Sequence, residues 1–354
     1  MSDTGPWLDR MRRDWDRRAL EDAESYIYSR DSESDEESFD RSGLANYNQL
    51  VRPYLPILLE GKVARECRAV EIGCGLGRMT RWFAEDFGEV VAIDISPRMI
   101  AQARHRLATF ANIRFLVGSG GDLMPLEDNR YDLAFSYIVF QHIPSRAVIE
   151  NYVREASRIL RAGGVFKFQL NGDQSPAYIA REKDTWMGET FSLPQVSAIL
   201  TQAGFSLVAT EAEGTQYFVL TARKGRVEEG AGPRHYILPG EPWAASQLGR
   251  GWHEPVDGSW RPVDSEFRAI LRSGGDTLFA GIYFWSTGFT PCKVEAELNG
   301  IPAGSSEVLE PGDQFFTFPV VSREREIVEV GFSIQPRCTR PPAVRSVGIV
   351  HFPA

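Results

Sequence analysis

Three glycines separated by single residues, Gly73, Gly75 and Gly77, directly follow a short apolar run, and this feature constrains the fold of the 354-residue chain most strongly. Glycine is needed where a chain turns tightly or where its backbone must approach a ligand closely. A helix that begins near Gly77 has free N–H groups and partial positive charge at its first turn. The segment 70–78 therefore predicts a strand, a tight turn and a helix that cradle the carboxylate end of a nucleotide-like cofactor.

Two carboxylates accompany this turn. Glu71 lies two residues before the first glycine, and Asp94 follows it by 23 positions, at the end of a second apolar run. An acid at the end of the second strand of an α/β sheet is placed to bind ribose hydroxyls. The spacing excludes two common cofactor loops, because nicotinamide-binding loops have G-x-G-x-x-G and nucleoside-triphosphate loops have Gly-Lys before Ser or Thr. Here Gly77 comes one position too early for the first loop, and Arg78 replaces the lysine of the second.

The stretch resembles the first motif of class I S-adenosylmethionine-dependent methyltransferases, and the resemblance extends over about residues 45–225. It implies that S-adenosylmethionine is the cofactor. In that family the residues at the positions of Glu71 and the glycine loop hold the methionine moiety, and the acid at the position of Asp94 holds the ribose.

The same resemblance implies an adenine site farther along the chain. Asp122, after the glycine-rich end of the third predicted strand, matches the position that contacts the adenine amino group, and Leu123 offers its backbone N–H there. Ile95 and Met99 come just after the ribose acid, and we expect them to enclose the adenine ring. The alternatives are that Asp122 caps a turn and that Met99 belongs to the core.

Strands and helices alternate through residues 45–225, which predicts a parallel sheet covered on both faces. One helix is expected to end at Gly163-Gly164, before a fifth strand. Gly214 separates two later strands so closely that they form an antiparallel hairpin. The fold class is therefore α/β, a Rossmann-like seven-stranded methyltransferase sheet with a terminal antiparallel hairpin. The strands are predicted at 90–94, 113–117, 131–136, 165–170, 206–213 and 216–223, and the helices at 79–87, from Ser96-Pro97 onward, and at 192–203.

A second, all-β domain follows a glycine- and proline-rich linker at 226–250. Within 251–354, polar and apolar residues alternate over 293–298, and Asn299-Gly300 predicts a hairpin turn. Six or more short strands in about 100 residues suit a β-sandwich or jelly roll.

Residues 1–44 are predicted to form a helical and acidic lid segment, with one or two helices between 7 and 29. The acidic run 31–38 is either a solvated loop or part of a lid that orders on binding. In the resembling family, N-terminal segments often cover the cofactor, and a lid of this kind brings Tyr26 and Tyr28 to the cleft. One helix face carries Trp7, Met11 and Trp15.

The methyl acceptor is expected at the carboxyl ends of the strands, where ligands of open α/β sheets bind. Tyr137, Gln141 and His142 follow the fourth strand. We assign catalytic roles to His142 and Tyr137, with His142 as the general base because its reference pKa is near neutrality. The alternative is a histidine held by backbone hydrogen bonds. Asn171 and Asp173, after the fifth strand, are candidate substrate contacts.

The second domain resembles β-sandwich modules attached to enzymes of bacterial glycan assembly, through Gly251-Trp252-His253-Glu254 and Trp260. Stacked aromatic faces of Trp252, His253 and Trp260 predict a saccharide platform, whereas the alternative has both tryptophans packing the sandwich.

Bulk properties exclude several function classes. The net charge of −9 disfavours a nucleic-acid partner, because phosphate binding needs a basic face. None of the four cysteines forms a C-x-x-C pair, so no metal site is expected and the thiols are free in a reducing cytosol. No apolar run reaches 18 residues and the N-terminus lacks a signal-peptide pattern, so a cytoplasmic protein without a membrane span is expected.

These features predict a methyltransferase that acts on a small molecule or saccharide, by in-line O-methylation. The segment after the fourth strand lacks the paired prolines of enzymes that methylate nucleic-acid bases and the paired glutamates of arginine methyltransferases. Methylation of a protein or peptide stays open, as does a glycan-binding protein with a regulatory cofactor domain. Homodimerisation through the second domain is also left open.

Overall fold

The chain divides into two compact units, one formed by Met1–Ala45 with Glu66–Glu228 and the other by Asn46–Arg65 with Glu229–Ala354. Residues 46–65, which the sequence assigned to the cofactor domain, thus cluster with the C-terminal half. The computed structural model describes residues 5–28, 36–51, 55, 62–225, 236–237, 248, 252–253, 261–263, 266–272, 278–286, 292–298, 301–308, 312–320, 327–335 and 343–350.

The first unit alternates strands and helices, as the sequence predicts. α1 consists of two helical pieces joined at Asp22, whose backbone is extended (φ −168°, ψ 85°). The helices are α1 (Gly5–Ile27), α2 (Glu36–Leu50), α3 (Thr80–Asp86), α4 (Pro97–Arg106), α5 (Arg146–Ile159), α6 (Pro176–Ile179) and α7 (Leu193–Gln202). The strands are β1 (Arg68–Ile72), β2 (Glu89–Asp94), β3 (Ile113–Val117), β4 (Tyr131–Ser136), β5 (Leu160–Leu170), β6 (Phe205–Glu211) and β7 (Phe218–Lys224).

These seven strands form one sheet in the order β3-β2-β1-β4-β5-β7-β6. β1 to β5 are parallel, and β7 runs antiparallel to both β5 and β6. The predicted Rossmann-like sheet with its terminal hairpin is confirmed. Because the strand order reverses beside β1, the carboxyl ends of β1 and β4 open a crevice at this point.

The boundary between α5 and β5 differs from the sequence prediction. The helix ends at Ile159, Leu160 already has extended backbone (φ −73°, ψ 139°), and the two glycines lie inside the strand. Gly163 has a φ of 75°, and the pairing with β4 jumps from Leu160 to Val165. A bulge, rather than a helix C-terminus, therefore explains the glycine pair.

α4 begins where the sequence predicts. Ser96 caps it by accepting a hydrogen bond from the Met99 N–H, and Pro97 occupies its first turn. α1 packs on this helix start, because Asp16 accepts a hydrogen bond from the Ser96 hydroxyl (2.8 Å) and pairs with the Arg98 guanidinium (2.8 Å). α1 is thereby held above the ends of β2 and β3. No helix among the described residues has the length and apolar character of a membrane span.

The second unit contains two antiparallel sheets, of order β10-β15-β12-β13 and β14-β11-β16-β8, with β9 paired to β16. β12 and β13 pair antiparallel, with Leu298 opposite Ile301. The predicted turn residues Asn299 and Gly300 lie outside the described residues. Packing of the sheets as a sandwich stays a prediction. The strands are β8 (Tyr236–Ile237), β9 (Arg261–Pro262), β10 (Glu266–Arg272), β11 (Leu278–Ser286), β12 (Cys292–Leu298), β13 (Ile301–Val308), β14 (Gly312–Val320), β15 (Ile327–Gln335) and β16 (Ala343–Val350).

Candidate active site

The glycine turn after β1 is closed by the end of β2. The N–H groups of Gly73 and Cys74 both donate to the Ile93 carbonyl, at 2.7 and 3.0 Å. Gly73 and Gly75 have φ values of 77° and 52°, which side chains with a Cβ rarely adopt. A Cβ on Gly75 would lie 2.7 Å from Cδ1 of Ile27, so the turn must be glycine to fit beneath α1. Helix α3 starts at Thr80, three residues after Gly77.

Glu71 is buried at the end of β1 and lines a cleft beside this turn. The Thr80 hydroxyl donates to Oε2 of Glu71 at 2.5 Å. Within the part of the chain that the structure describes, Oε1 has no hydrogen-bond partner. Burial raises the pKa of Glu71 to about 7, against the pull of Thr80 and Arg78. A cationic group in the cleft would restore the ionised form, and the ammonium group of a methionine moiety has that charge.

Asp94 ends β2 and clamps the turn. Its Oδ2 accepts the Gly75 N–H and its Oδ1 accepts the Ser96 N–H, both at 2.9 Å. Burial raises the pKa of Asp94, while these backbone hydrogen bonds lower it. A carboxylate offers about four lone-pair sites, so both oxygens keep acceptor capacity for ribose hydroxyls. The buried carboxylates and the glycine turn thus fit an adenosyl cofactor that bears an amino acid.

Of the residues predicted for adenine, Ile95 and Met99 line the cleft, together with Gly118 and Gly120. Asp122 lies outside this lining and accepts the Met124 N–H at 3.0 Å. The Leu123 N–H already donates to Oε2 of Glu155, at 3.1 Å. The adenine contacts of these two residues stay predictions, and the Leu123 contact requires an exchange of partners.

A cleft runs along the carboxyl ends of β1, β2 and β4 under α1. We call Glu71, Gly73, Gly75, Asp94 and Ile95 its cofactor end. Trp15, Tyr26, Tyr137 and His142 also line it, and we call them its aromatic end.

α1 supplies one wall of the aromatic end through a buried arginine. The Arg18 guanidinium donates to the carbonyl and the hydroxyl of Thr185, at 3.0 and 3.2 Å. Its central carbon lies 4.6 Å from the Trp15 ring centroid, 5.8 Å from that of Tyr26 and 5.2 Å from that of Trp186. No local sequence pattern points to Arg18, Thr185 or Trp186. Arg18 lies more than 160 positions before the other two, which are adjacent.

His142 ends the short 3₁₀ turn Phe140–His142 and is buried between two tryptophans. Its ring centroid lies 5.4 Å from that of Trp15 and 4.9 Å from that of Trp186. Nδ1 lies 2.8 Å from the Trp186 carbonyl oxygen, which can only accept, so this nitrogen carries the proton. Nε2 then accepts from Nε2 of Gln141, at 3.1 Å. Burial lowers the pKa of His142 to about 4.

Gln169, on β5, fixes the segment that carries these residues. Its side-chain Nε2 donates to Oε1 of Gln141, and its Oε1 accepts the Ile138 N–H, both at 2.9 Å. Ile138 has a φ of 55°, a strained backbone for a β-branched residue. Gln169 therefore holds both the strained turn after β4 and, through Gln141, the imidazole of His142.

Further predicted residues lie outside the cleft lining, namely Gly77, Gln141, Asn171, Asp173 and Tyr28. The side chain of Asn171 accepts the Asp173 N–H at 2.9 Å, and Asp173 accepts the Ser175 N–H at 2.8 Å, so both shape the loop after β5. Tyr28 lies with its ring centroid 5.9 Å from the Arg78 guanidinium, whereas Tyr26 does line the cleft. Most of the acidic run 31–38 lies outside the described residues.

In the second unit, Trp252 packs within the domain. Its indole N–H donates to the Arg268 carbonyl at 2.7 Å, and its ring meets Phe267 edge-on at 5.2 Å. His253 is exposed, and Trp260 lies outside the described residues. These contacts favour a role for Trp252 in packing the second domain rather than in a saccharide platform. A separate pocket on the four-stranded sheet is lined by polar side chains that include Glu266, Arg268, Glu295, Glu297 and Ser333.

Comparison with known proteins matches residues 70–168 to the family described as methyltransferase domain. Malonyl-[acyl-carrier protein] O-methyltransferase of Enterobacter lignolyticus is 31% identical over 132 residues, which are 37% of this chain and 50% of that protein. Ubiquinone biosynthesis O-methyltransferase of Xanthomonas oryzae pv. oryzae is 30% identical over 115 residues, 32% of this chain and 46% of the relative. The chain thus spans about half the length of these relatives or less.

Among solved structures, N-methyltransferase NodS from Bradyrhizobium japonicum, in complex with S-adenosyl-L-homocysteine, is 17% identical with a TM-score of 0.46. The match covers 62% of this chain and all of that one. The family match spans β1 to β5, and the cleft just described lies at the carboxyl ends of those strands. Residues 70–168 are thus similar to a methyltransferase domain, and this similarity implies S-adenosylmethionine as the cofactor.

Proposed function

We propose that this protein transfers a methyl group from S-adenosylmethionine to an oxygen atom of a small-molecule acceptor. The observation that carries the proposal is the division of one cleft into a cofactor end, with the buried carboxylate of Glu71 and the partly buried one of Asp94, and an aromatic end with Tyr137. Two relatives are by name O-methyltransferases, which supports oxygen as the methylated atom.

The cofactor supplies a methyl group activated by a positively charged sulfur. The protein residues then need only to hold and align the acceptor, because proximity accounts for most of the rate gain of such displacements. We assign the methionine moiety to Glu71 and the glycine turn, the ribose to Asp94, and the adenine to Ile95 and Met99. Tyr137 contacts the acceptor, and His142, with both ring nitrogens hydrogen-bonded, holds the wall of the site in place.

A second candidate is a glycan-binding protein in which the cofactor domain is regulatory. The polar pocket on the four-stranded sheet favours it, because carboxylates and an arginine suit the hydroxyl pairs of a sugar. Binding without turnover distinguishes this candidate from the enzyme.

The experiment is incubation of the full-length protein with S-adenosylmethionine labelled in the methyl group and a panel of hydroxylated small molecules and saccharides. We expect label in an ether or ester product and equimolar release of the demethylated cofactor. Asp94→Asn is the matched inactive control. Saccharide binding by a folded protein that binds the cofactor but transfers no label to any panel member would favour the second candidate.

A further inference from the structure

The polar groups at the aromatic end are largely engaged within the protein. The Tyr26 hydroxyl donates to Glu21 at 2.8 Å. His142 uses Nδ1 on the Trp186 carbonyl and Nε2 on Gln141. Among the described residues, the Tyr137 hydroxyl and the Trp15 indole N–H have no hydrogen-bond partner, so these two groups remain for an acceptor.

This scarcity of polar groups discriminates between acceptor classes. A sugar ring in the aromatic end would bring several hydroxyls away from water, and each unsatisfied one costs about 1–3 kcal/mol. A flat ring gains about 25 cal/mol per Å² of buried apolar surface, and contacts with aromatic rings add about 0.5–1.5 kcal/mol. The aromatic end therefore suits a flat apolar molecule that carries one or two oxygens.

The hydrogen bonds of His142 also bear on how the acceptor loses its proton. The lone pair of Nε2 is occupied by the Gln141 amide, which Gln169 fixes in turn. Burial raises the pKa of Tyr137, a phenol that lines the cleft, and the Arg78 guanidinium offsets this only in part. An acceptor in this site must therefore be acidic enough to lose its proton to solvent without help from a base.

From this geometry we infer that the aromatic end takes a flat conjugated acceptor with an acidic hydroxyl, of the phenol or enol type, and that Trp15 and Tyr137 select it. The inference rests on the proposed methyl transfer. The hydroxyl proton leaves to solvent first. The oxyanion then forms the O–CH₃ bond while the C–S bond of the cofactor breaks, and the bonding pair stays on sulfur as the sulfonium becomes a neutral thioether. The lowered pKa of His142 agrees, because a histidine with a pKa of about 4 is a weak base at neutral pH.

The test compares four acceptors that each contain a six-membered ring. The protein is saturated with S-adenosyl-L-homocysteine, so that binding is measured without turnover. Catechol is flat and acidic, and trans-cyclohexane-1,2-diol carries the same two hydroxyls on a puckered ring. 1,3-Cyclohexanedione supplies an acidic enol, and methyl α-glucopyranoside supplies a sugar. Calorimetric titration should show catechol and the enol binding at least tenfold tighter than the diol and the glucoside. Labelled transfer is then measured with the tighter pair.

Variants assign this preference to residues. Trp15→Leu should weaken catechol binding at least tenfold, and Trp15→Phe, which keeps an aromatic ring but loses the indole N–H, should weaken it less than Trp15→Leu does. Tyr137→Phe should weaken catechol and enol binding about tenfold without changing the affinity for the glucoside. Trp82→Phe, outside the cleft lining, is the matched control and should change nothing. Unchanged affinity for S-adenosyl-L-homocysteine shows that each variant is folded.

The inference is overturned if the glucoside or the diol binds as tightly as catechol, if neither catechol nor the enol binds, or if Trp15→Leu leaves catechol binding unchanged. In each case, retained binding of S-adenosyl-L-homocysteine leaves the proposed function in place. Failure of the folded wild type to bind that ligand would instead remove the proposed function.

Discussion

The two ends of the cleft differ in how far their charged and polar side chains are paired within the protein. The cofactor end keeps two carboxylates in a dry site with acceptor capacity to spare, and burial raises the pKa of both. The aromatic end engages its imidazole and its guanidinium in hydrogen bonds to neighbouring residues. The first end is electrostatically incomplete until a ligand arrives, whereas the second is nearly complete without one.

This difference teaches where affinity and where selectivity originate. A ligand of opposite charge binds tightly to a buried carboxylate that lacks a partner, because binding removes the free-energy penalty of leaving that charge unpaired. A wall whose polar groups are already hydrogen-bonded within the protein adds little affinity for polar ligands. It distinguishes ligands by their shape and by apolar contact. We therefore expect tight, pH-sensitive binding at the cofactor end and selection by shape at the aromatic end.

The largest effect should come from Asp94→Ala. This change removes a carboxylate that clamps the Gly75 and Ser96 N–H groups and is assigned to the ribose. Hydrogen bonds to charged groups contribute about 1.5–3 kcal/mol each, so the affinity for S-adenosyl-L-homocysteine should fall about 100-fold or more by calorimetry. An unchanged affinity would show that the cofactor end is as self-sufficient as the aromatic end.

Arg18→Met tests whether the aromatic wall depends on its buried cation. The change leaves the Thr185 carbonyl without the guanidinium donor, at a cost of about 2 kcal/mol. Hydrogen exchange of α1 amides, followed by mass spectrometry, should accelerate about 30-fold.

Arg17→Met is the matched control, because its side chain is 63% exposed on the same helix. Its exchange should stay within about twofold of wild type, as expected for surface ion pairs. Equal acceleration in both variants would show that Arg18 does not anchor the wall.

Glu71 gives the pH dependence of the cofactor end. Its pKa is raised from 4.5 to about 7 in the folded protein, so the free protein holds a proton that the unfolded chain has lost between these values. The stabilisation is present below pH 4.5 and is lost as pH rises through 7. A cationic methionine group needs ionised Glu71, so cofactor affinity should fall about fivefold from pH 7 to pH 6.

Glu71→Gln should bind more weakly than wild type at pH 8 and lose most of this pH dependence. Calorimetry in buffers of different ionisation enthalpy checks the same point, because binding at pH 6 should release close to one proton. An affinity independent of pH in the wild type would contradict the assignment of Glu71 to a cationic group.

The smallest effect is expected for His142. With a pKa of about 4, lowered by burial, its contribution to stability is lost only as pH falls from 6.5 toward 4. Nitrogen-15 spectra of the ring should show a neutral imidazole protonated on Nδ1 throughout pH 6–8. His142→Gln should change cofactor affinity less than threefold. If the spectra showed the His142 ring titrating near neutrality, the prediction that His142 is a general base would stand instead.

The fold and the cofactor end were predictable because their determinants are local. Glu71 and the three glycines lie within seven consecutive residues, and Asp94 follows after one helix and one strand. Backbone conformation and strand order fix such positions whatever the rest of the chain does. The glycine pair at 163–164 led to a wrong prediction of a helix C-terminus. A local signal of this kind is ambiguous, since a helix C-terminus and a bulge both require a positive φ.

Tyr26, Tyr137 and His142 of the aromatic end were predicted to lie at the cleft, and they line it. The contacts that hold them there were not predictable, because they are tertiary contacts. Trp15 was assigned to a helix face and Trp186 to no site, yet both flank His142. Gln169 reads as an ordinary strand residue, and only its fully buried position shows that it holds Ile138 and Gln141. Side chains that act through partners far along the chain leave no spacing to detect.

The kinked α1 touches both ends of the cleft, with Ile27 over Gly75 and Trp15 beside His142. One element that contacts two ligands makes their binding equilibria thermodynamically linked, so each ligand must change the affinity of the other by the same factor. An acceptor that meets a wall already seated on the cofactor encounters a better-formed site. We therefore expect S-adenosyl-L-homocysteine and the acceptor to raise each other's affinity by the same factor.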